Sequence, residues 1–168
     1  MRILYLFSIF WLSISISANS PVLNKDSITH PEVGLEGMVV TQHYLASEVG
    51  VAILNKGGNA YDATIAVAFA LAVVLPRAGN IGGGGFTVLY NSSDESFQSL
   101  DYREKAPLAA SKNMYLDKNG DVISNLSTLG YKAIAVPGTV DGMWELHKKY
   151  GSMDWKELIV PSIKLAKE

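Results

Sequence analysis

The group in this sequence best equipped to hold a ligand is an arginine that a strand delivers at its end. Arg103 stands in the run Asp101-Tyr102-Arg103-Glu104-Lys105-Ala106-Pro107. Its guanidinium is planar and permanently charged, and its fork of N–H donors can grip a carboxylate at both oxygens. The same residues also allow a plainer reading, a local ion pair with Asp101 or Glu104, and spacing leaves both open. Upstream, Gly82-Gly83-Gly84-Gly85 invites a phosphate-loop reading. However, no Lys-Ser or Lys-Thr follows, and the run precedes a strand where phosphate loops precede a helix. The expected role is a tight backbone path, or close approach by another segment or a ligand, which only a residue without Cβ permits.

Other chemistries lack their residues. The three histidines, His30, His43 and His147, are far apart, and the chain has no cysteine, so neither a metal site nor a cofactor is expected. There is no Gly-x-Ser-x-Gly elbow and no Ser-x-x-Lys, which leaves a serine nucleophile unsupported. Asp117 and Asp121 lie in loop-like sequence as solvated carboxylates. No catalytic residue is assigned within the chain.

The elements that must position Arg103 follow from patterning. Leu45, Val49, Ala52 and Ile53 fall at helical spacing and predict an amphipathic surface helix, stopped by Gly57-Gly58. Asn59 with Asp62 caps a second helix that carries no charge from Ala63 to Leu75. It is too short to span a bilayer, and its alanines suggest a buried helix against a sheet in a layered α/β core. Phe86–Tyr90 and Phe97–Tyr102 alternate as a β-hairpin ended by Pro107. Ser111–Tyr131 reads as a long surface excursion turning at Asp117-Lys118-Asn119-Gly120. Pro137-Gly138-Thr139 opens a helix with Val140, Met143, Trp144 and His147 on its face, closed by Gly151. Asp154 and Glu157 resemble a capping box for a last helix, in which Pro161 predicts a kink or a fresh start. No helix terminator precedes Glu168, which predicts that the chain is part of something larger.

Composition sets the class. Of 168 residues, 48% are hydrophobic and 18% charged, as in globular proteins, and a net charge of −2 offers no basic field for nucleic acid. Residues 1–20 have the layout of a secretory signal peptide: Met1-Arg2, an apolar run from Ile3 to Ile16, then small and polar residues. Residues 21–37 read as a linker and 38–168 as the folded part. A soluble mature protein, periplasmic or secreted and without a membrane anchor after cleavage, is the expectation. Asn91 and Asn125 head glycosylation sequons.

Several blocks together resemble the γ-glutamyltranspeptidase family: Gly37-Met38-Val39-Val40, Val49 through Ala63, Ala78 through Phe86, Asp101 through Pro107, and Val136-Pro137-Gly138-Thr139. The resemblance runs in order along nearly all of Gly37–Glu168. It implies an N-terminal-nucleophile hydrolase of αββα fold, made as an exported zymogen that cleaves itself into a large and a small subunit. This chain would be the first part of the large one. The implied reaction moves a γ-glutamyl group from glutathione or another γ-glutamyl compound to water or an acceptor amine. Its threonine nucleophile and oxyanion-hole donors would belong to the small subunit of the same precursor. Arg103 matches the family's arginine that holds the substrate α-carboxylate, with Glu104 supporting it. Thr41-Gln42-His43-Tyr44 echoes the nucleophile motif but stands ahead of the first core helix, as a decoy. The alternatives are a transpeptidase-like acylase acting on glutaryl side chains, as in cephalosporin acylases, and a catalytically dead remnant or binding protein.

Overall fold

A computed structural model describes residues 33–168; residues 1–20, read above as a signal peptide, most of the stretch read as a linker, and His30 lie outside the described residues. The elements are α1 (Tyr44–Asn55), α2 (Ala60–Val74), β1 (Phe86–Asn91), β2 (Ser96–Asp101), a 3-10 turn (Tyr131–Ala133), α3 (Thr139–Tyr150) and α4 (Trp155–Leu165). Helix α1 ends as its glycines predict. Gly57 takes φ of +91°, its N–H reaches Leu54 O at 2.9 Å, and the Gly58 N–H reaches Ile53 O at 3.1 Å. Together these bonds satisfy carbonyls that a helix end otherwise leaves orphaned. The buried face is Ala46, Gly50 and Ile53, which corrects the expected row, because Ala52 is exposed. At Gly50 a Cβ would stand 2.7 Å from Val39 and 2.8 Å from Val67, so close approach sets the rotation of this helix.

Helix α2 is the central rod. Ala63, Ile65, Ala66, Phe69 and Ala70 are buried, and only Ala60 and Thr64 face solvent, in line with its uncharged sequence. Among the described residues α2 packs chiefly on α1, α4 and α3. The hairpin reaches the same core through buried Leu89, and the Tyr61 hydroxyl donates to Tyr90 O at 3.3 Å. No helix among the described residues is long and apolar enough to cross a membrane.

One buried carboxylate ties the two interhelical loops together. Asp62, fully buried, accepts from the Asn59 backbone N–H at 3.0 Å, while the Asn59 side chain accepts from Asp62 N at 2.9 Å, closing a capping box. The same carboxylate also takes Ser152 Oγ at 2.5 Å, Ser152 N at 3.1 Å and Met153 N at 3.4 Å from the α3–α4 loop. Asn59 Nδ2 donates to Tyr150 O at 2.7 Å. Burial pushes the Asp62 pKa up, but the Ser152 hydroxyl and the backbone N–H groups of Asn59, Ser152 and Met153 together hold it below the usual carboxylate value.

Helix α3 buries Gly142, Met143 and Leu146. Val140 and Trp144 are more exposed than the expected face required, at 46% and 42%. Trp155 of α4 packs edge-on against Phe69 at 5.6 Å and Trp144 at 5.2 Å, with His147 5.2 Å away. Such aromatic pairs add about 0.5–1.5 kcal/mol each beyond burial. Asp154 caps α4 through the Lys156 N–H at 2.8 Å, but Glu157 does not complete a box. Helix α4 runs through Pro161 as one helix, which removes the fresh start, and it stops at Leu165 with Ala166 as its cap.

Replacing Asp62 by Asn should lower stability by about 3 kcal/mol, because an amide brings donors where donors already point. Asp62 titrates with a depressed folded pKa, so its contribution is complete above the unfolded value near pH ~4 and fades as pH falls through the folded value. Urea unfolding at stepped pH should show this acid-side loss in the native protein and a smaller one in Asp62→Asn.

Candidate functional site

The hairpin holds Arg103 by its backbone. Strands β1 and β2 pair antiparallel from Phe86 opposite Asp101 to Asn91 opposite Ser96. Inward residues include Leu89 and Leu100, while Phe86, Val88, Tyr90 and Phe97 are exposed on the other face. Beyond Asp101 one more ladder bond forms, from the Tyr102 N–H to Gly85 O at 3.0 Å. The strand then ends at an Asx turn, in which Asp101 Oδ1 accepts the Arg103 N–H at 3.0 Å. This corrects the role given to Pro107, since Lys105 still bridges Val136 through bonds of 3.1 and 2.8 Å.

Glycines close around that turn. A Cβ on Gly84 would lie 2.6 Å from Tyr102 O and 2.7 Å from Glu104 N; one on Gly138 would strike Tyr102 O, and one on Gly142 would enter the Tyr102 side chain. Gly85 lies under the Tyr102 ring, where a Cβ would stand 3.0 Å from Cε2. The carbonyl of Gly83 accepts from Gly138 N at 2.8 Å and Thr139 N at 3.1 Å, joining the glycine loop to the start of α3. None of these glycines has positive φ, so the requirement is space. The close-approach reading of Gly82–Gly85 therefore holds, at Gly84 and Gly85 in particular. The Tyr102 ring is further held where Thr87 Oγ1 donates to its hydroxyl at 3.3 Å.

With its backbone fixed, the Arg103 side chain is exposed, as are Glu104 and Lys105. The two ion pairs among the described residues are Lys148–Glu145 and Lys164–Glu168, so Arg103 is paired with neither Asp101 nor Glu104. The Asp101 carboxylate, two residues upstream, accepts the arginine's own backbone N–H instead. Beside this turn a cleft of about 220 Å³ is bordered by Leu71, Asn80, Gly84, Tyr102, Glu104 and Thr139. A larger one of about 450 Å³ lies between hairpin and α3, where Gln98 Oε1 accepts from Lys149 Nζ and the Tyr150 hydroxyl at 2.5 Å each.

The remaining candidates have structural employment. Thr41 Oγ1 donates to His43 O at 2.7 Å and meets Ser47 Oγ at 2.9 Å, which ties it to the first turn of α1. His147 Nε2 meets Met153 O at 2.9 Å, so that nitrogen carries the proton, inside the aromatic group around Trp155. Asp117 accepts from Asn119 N and Asp121 N at 2.8 and 2.9 Å in an exposed turn. Among the described residues no three His, Asp or Glu side chains gather as metal ligands. Sequence reasoning missed Asp101 as a turn former and Gly142 as the notch for Tyr102. A glycine inside a helix is unfavourable by roughly 1 kcal/mol, so Gly142 carried a signal that something packs there.

This fold recurs in a class of solved transpeptidases and acylases. Over 82% of this chain and 39% of the other, it superposes on the crystal structure of Helicobacter pylori γ-glutamyltranspeptidase with a TM-score of 0.77 and 52% identity. For the γ-glutamyltranspeptidase of Pseudomonas nitroreducens complexed with L-DON, the TM-score is 0.73 and the identity 52%, over 79% of this chain and 39% of that one. In sequence it is 51% identical to a glutathione hydrolase proenzyme of Pseudomonas sp. (strain A14), over 91% of this chain and 27% of the relative. The Escherichia coli (strain K12) glutathione hydrolase proenzyme is 42% identical over 86% of this chain and 25% of its own length. The family model described as Gamma-glutamyltranspeptidase matches residues 46–168. The chain belongs to the γ-glutamyltranspeptidase family. It spans about a quarter of the length of the curated relatives it matches.

The packing generates a contrast between neighbouring glycines. Gly84→Ala should destabilise by about 1–3 kcal/mol, because the backbone it strikes cannot swing away. Gly82→Ala, whose Cβ would meet only Asn80 Oδ1 at 3.4 Å, should stay within about 0.5 kcal/mol of the parent. Denaturation midpoints of the two variants measure the difference.

Proposed function

We propose that this chain is the first part of the large subunit of a γ-glutamyltransferase and glutathione hydrolase, an N-terminal-nucleophile enzyme of αββα architecture. Its part in the reaction is recognition: the Arg103 guanidinium grips the α-carboxylate of the γ-glutamyl substrate at both oxygens. The observation that carries this reading is a guanidinium without an ion-pair partner among the described residues, on a backbone that glycines and an Asx turn hold fast. Support comes also from the relatives named glutathione hydrolase proenzyme and from the two γ-glutamyltranspeptidase structures at 52% identity. The acylase alternative has less support, since the Bacillus halodurans cephalosporin acylase shares 26% identity.

Bond-breaking falls to the small subunit of the same precursor. A threonine freed at that subunit's start attacks the γ-glutamyl carbonyl, with its own amine as base, and the acyl group passes to water or an amine acceptor. Donors from that subunit hold the oxyanion. On this reading the hairpin contributes strands to the sandwich, and its exposed apolar face is where a second layer belongs. The leader in residues 1–20 would carry the protein to the periplasm or outside the cell.

Arg103→Ala in the full-length protein should raise KM for a γ-glutamyl anilide at least about 30-fold, the equivalent of about 2 kcal/mol or more. Autoprocessing into two subunits should persist, since no described residue depends on the guanidinium. An unchanged KM in a processed variant would remove the assignment.

A further inference from the structure

We infer that Asp101 is a positioning residue for Arg103, acting through the arginine's backbone, not its charge. The inference rests on the reading of Arg103 as the carboxylate grip. Three N–H groups at the strand exit are held in different ways: Tyr102 bonds to Gly85 O at 3.0 Å, Lys105 to Val136 O at 3.1 Å, and Arg103 to the Asp101 side chain at 3.0 Å. Of the three, only the arginine's amide depends on a side chain. Alternation along β2 turns that amide away from β1, the side on which Tyr102 pairs. Asp101 Oδ1 supplies its acceptor, and the bond fixes how the chain leaves the strand at the residue that must meet the ligand. Tyr102, seated against Gly142 and Gly85, anchors the same peptide from the core side.

The bond has a second consequence. An aspartate two residues from an arginine is its obvious ion-pair partner, and such a pair would compete with an incoming carboxylate. Asp101 Oδ1 accepts the arginine's own N–H, and neither Asp101 nor Glu104 makes an ion pair with Arg103. The guanidinium keeps its donors for a ligand, at the distance from the strand that the turn dictates.

The test compares four variants of the full-length protein by steady-state kinetics with a γ-glutamyl anilide and by thermal unfolding. Asp101→Ala should raise KM about 10-fold with kcat and melting temperature nearly unchanged, because misplacing a gripping group weakens binding without touching the nucleophile. Asp101→Asn retains an oxygen acceptor and should restore KM to the parent's range. In an Arg103→Ala background, Asp101→Ala should add nothing, since the group it positions is gone. Multiplying effects in the double variant, a parental KM in Asp101→Ala, or parallel losses of kcat and melting temperature would each overturn the positioning role. An Arg103→Ala variant with unchanged KM brings down the carboxylate reading itself, whereas a strong Arg103→Ala effect beside a silent Asp101→Ala removes only the role of Asp101.

Discussion

Everything near the candidate site depends on how closely other backbone can approach the Tyr102–Glu104 peptides. Gly84, Gly138 and Gly142 come near enough that a single methyl on any of them would overlap Tyr102 or its neighbours. Dense packing of this kind leaves few voids and passes displacement directly from one segment to the next. The glycine loop, the first turn of α3 and the end of β2 are therefore one rigid object, and Arg103 projects from it. A flexible side chain on a fixed base keeps part of its reach but loses the loop entropy that binding would otherwise have to remove.

A second constraint, farther along the helices, serves stability. Asp62 occupies a position where burial alone would favour the neutral acid, yet its hydrogen bonds outweigh that tendency. By accepting from both the α1–α2 and the α3–α4 loops, it fixes the order in which four helices meet. Capping, usually a local matter, here becomes tertiary structure. The helical core and the corner that carries Arg103 share α3, whose Gly142 receives Tyr102 and whose last residue, Tyr150, accepts from Asn59.

Much of this was legible in the residues. The hairpin, the Asn59 cap, the glycine stop after α1 and the turn at Asp117–Gly120 rest on local chemistry, and local chemistry is what a sequence displays. Arg103 stands out by its residue type at a strand exit, and the ordered blocks supply the partner proposed for it. What stayed hidden was long-range. Rotation of α1 follows from Gly50 meeting Val39 and Val67, and the notch at Gly142 from Tyr102 some forty residues earlier. Among the described residues α2 meets mainly helices, with the hairpin joining through Leu89, because alanines permit close approach without specifying by what. The local ion pair was misleading for a related reason: charge spacing marks which groups could meet, whereas the Asx turn decides which atoms do.

The proposed division, with recognition on this chain and reactivity on the remainder of a precursor, is one that structure can test directly. The decisive measurement is a crystal structure of the processed full-length protein with glutamate bound. The account predicts two guanidinium nitrogens of Arg103 within hydrogen-bond distance of the two α-carboxylate oxygens, with the Tyr102–Glu104 backbone unmoved. An Arg103 side chain turned away from the ligand, with the carboxylate held by other groups, would contradict it.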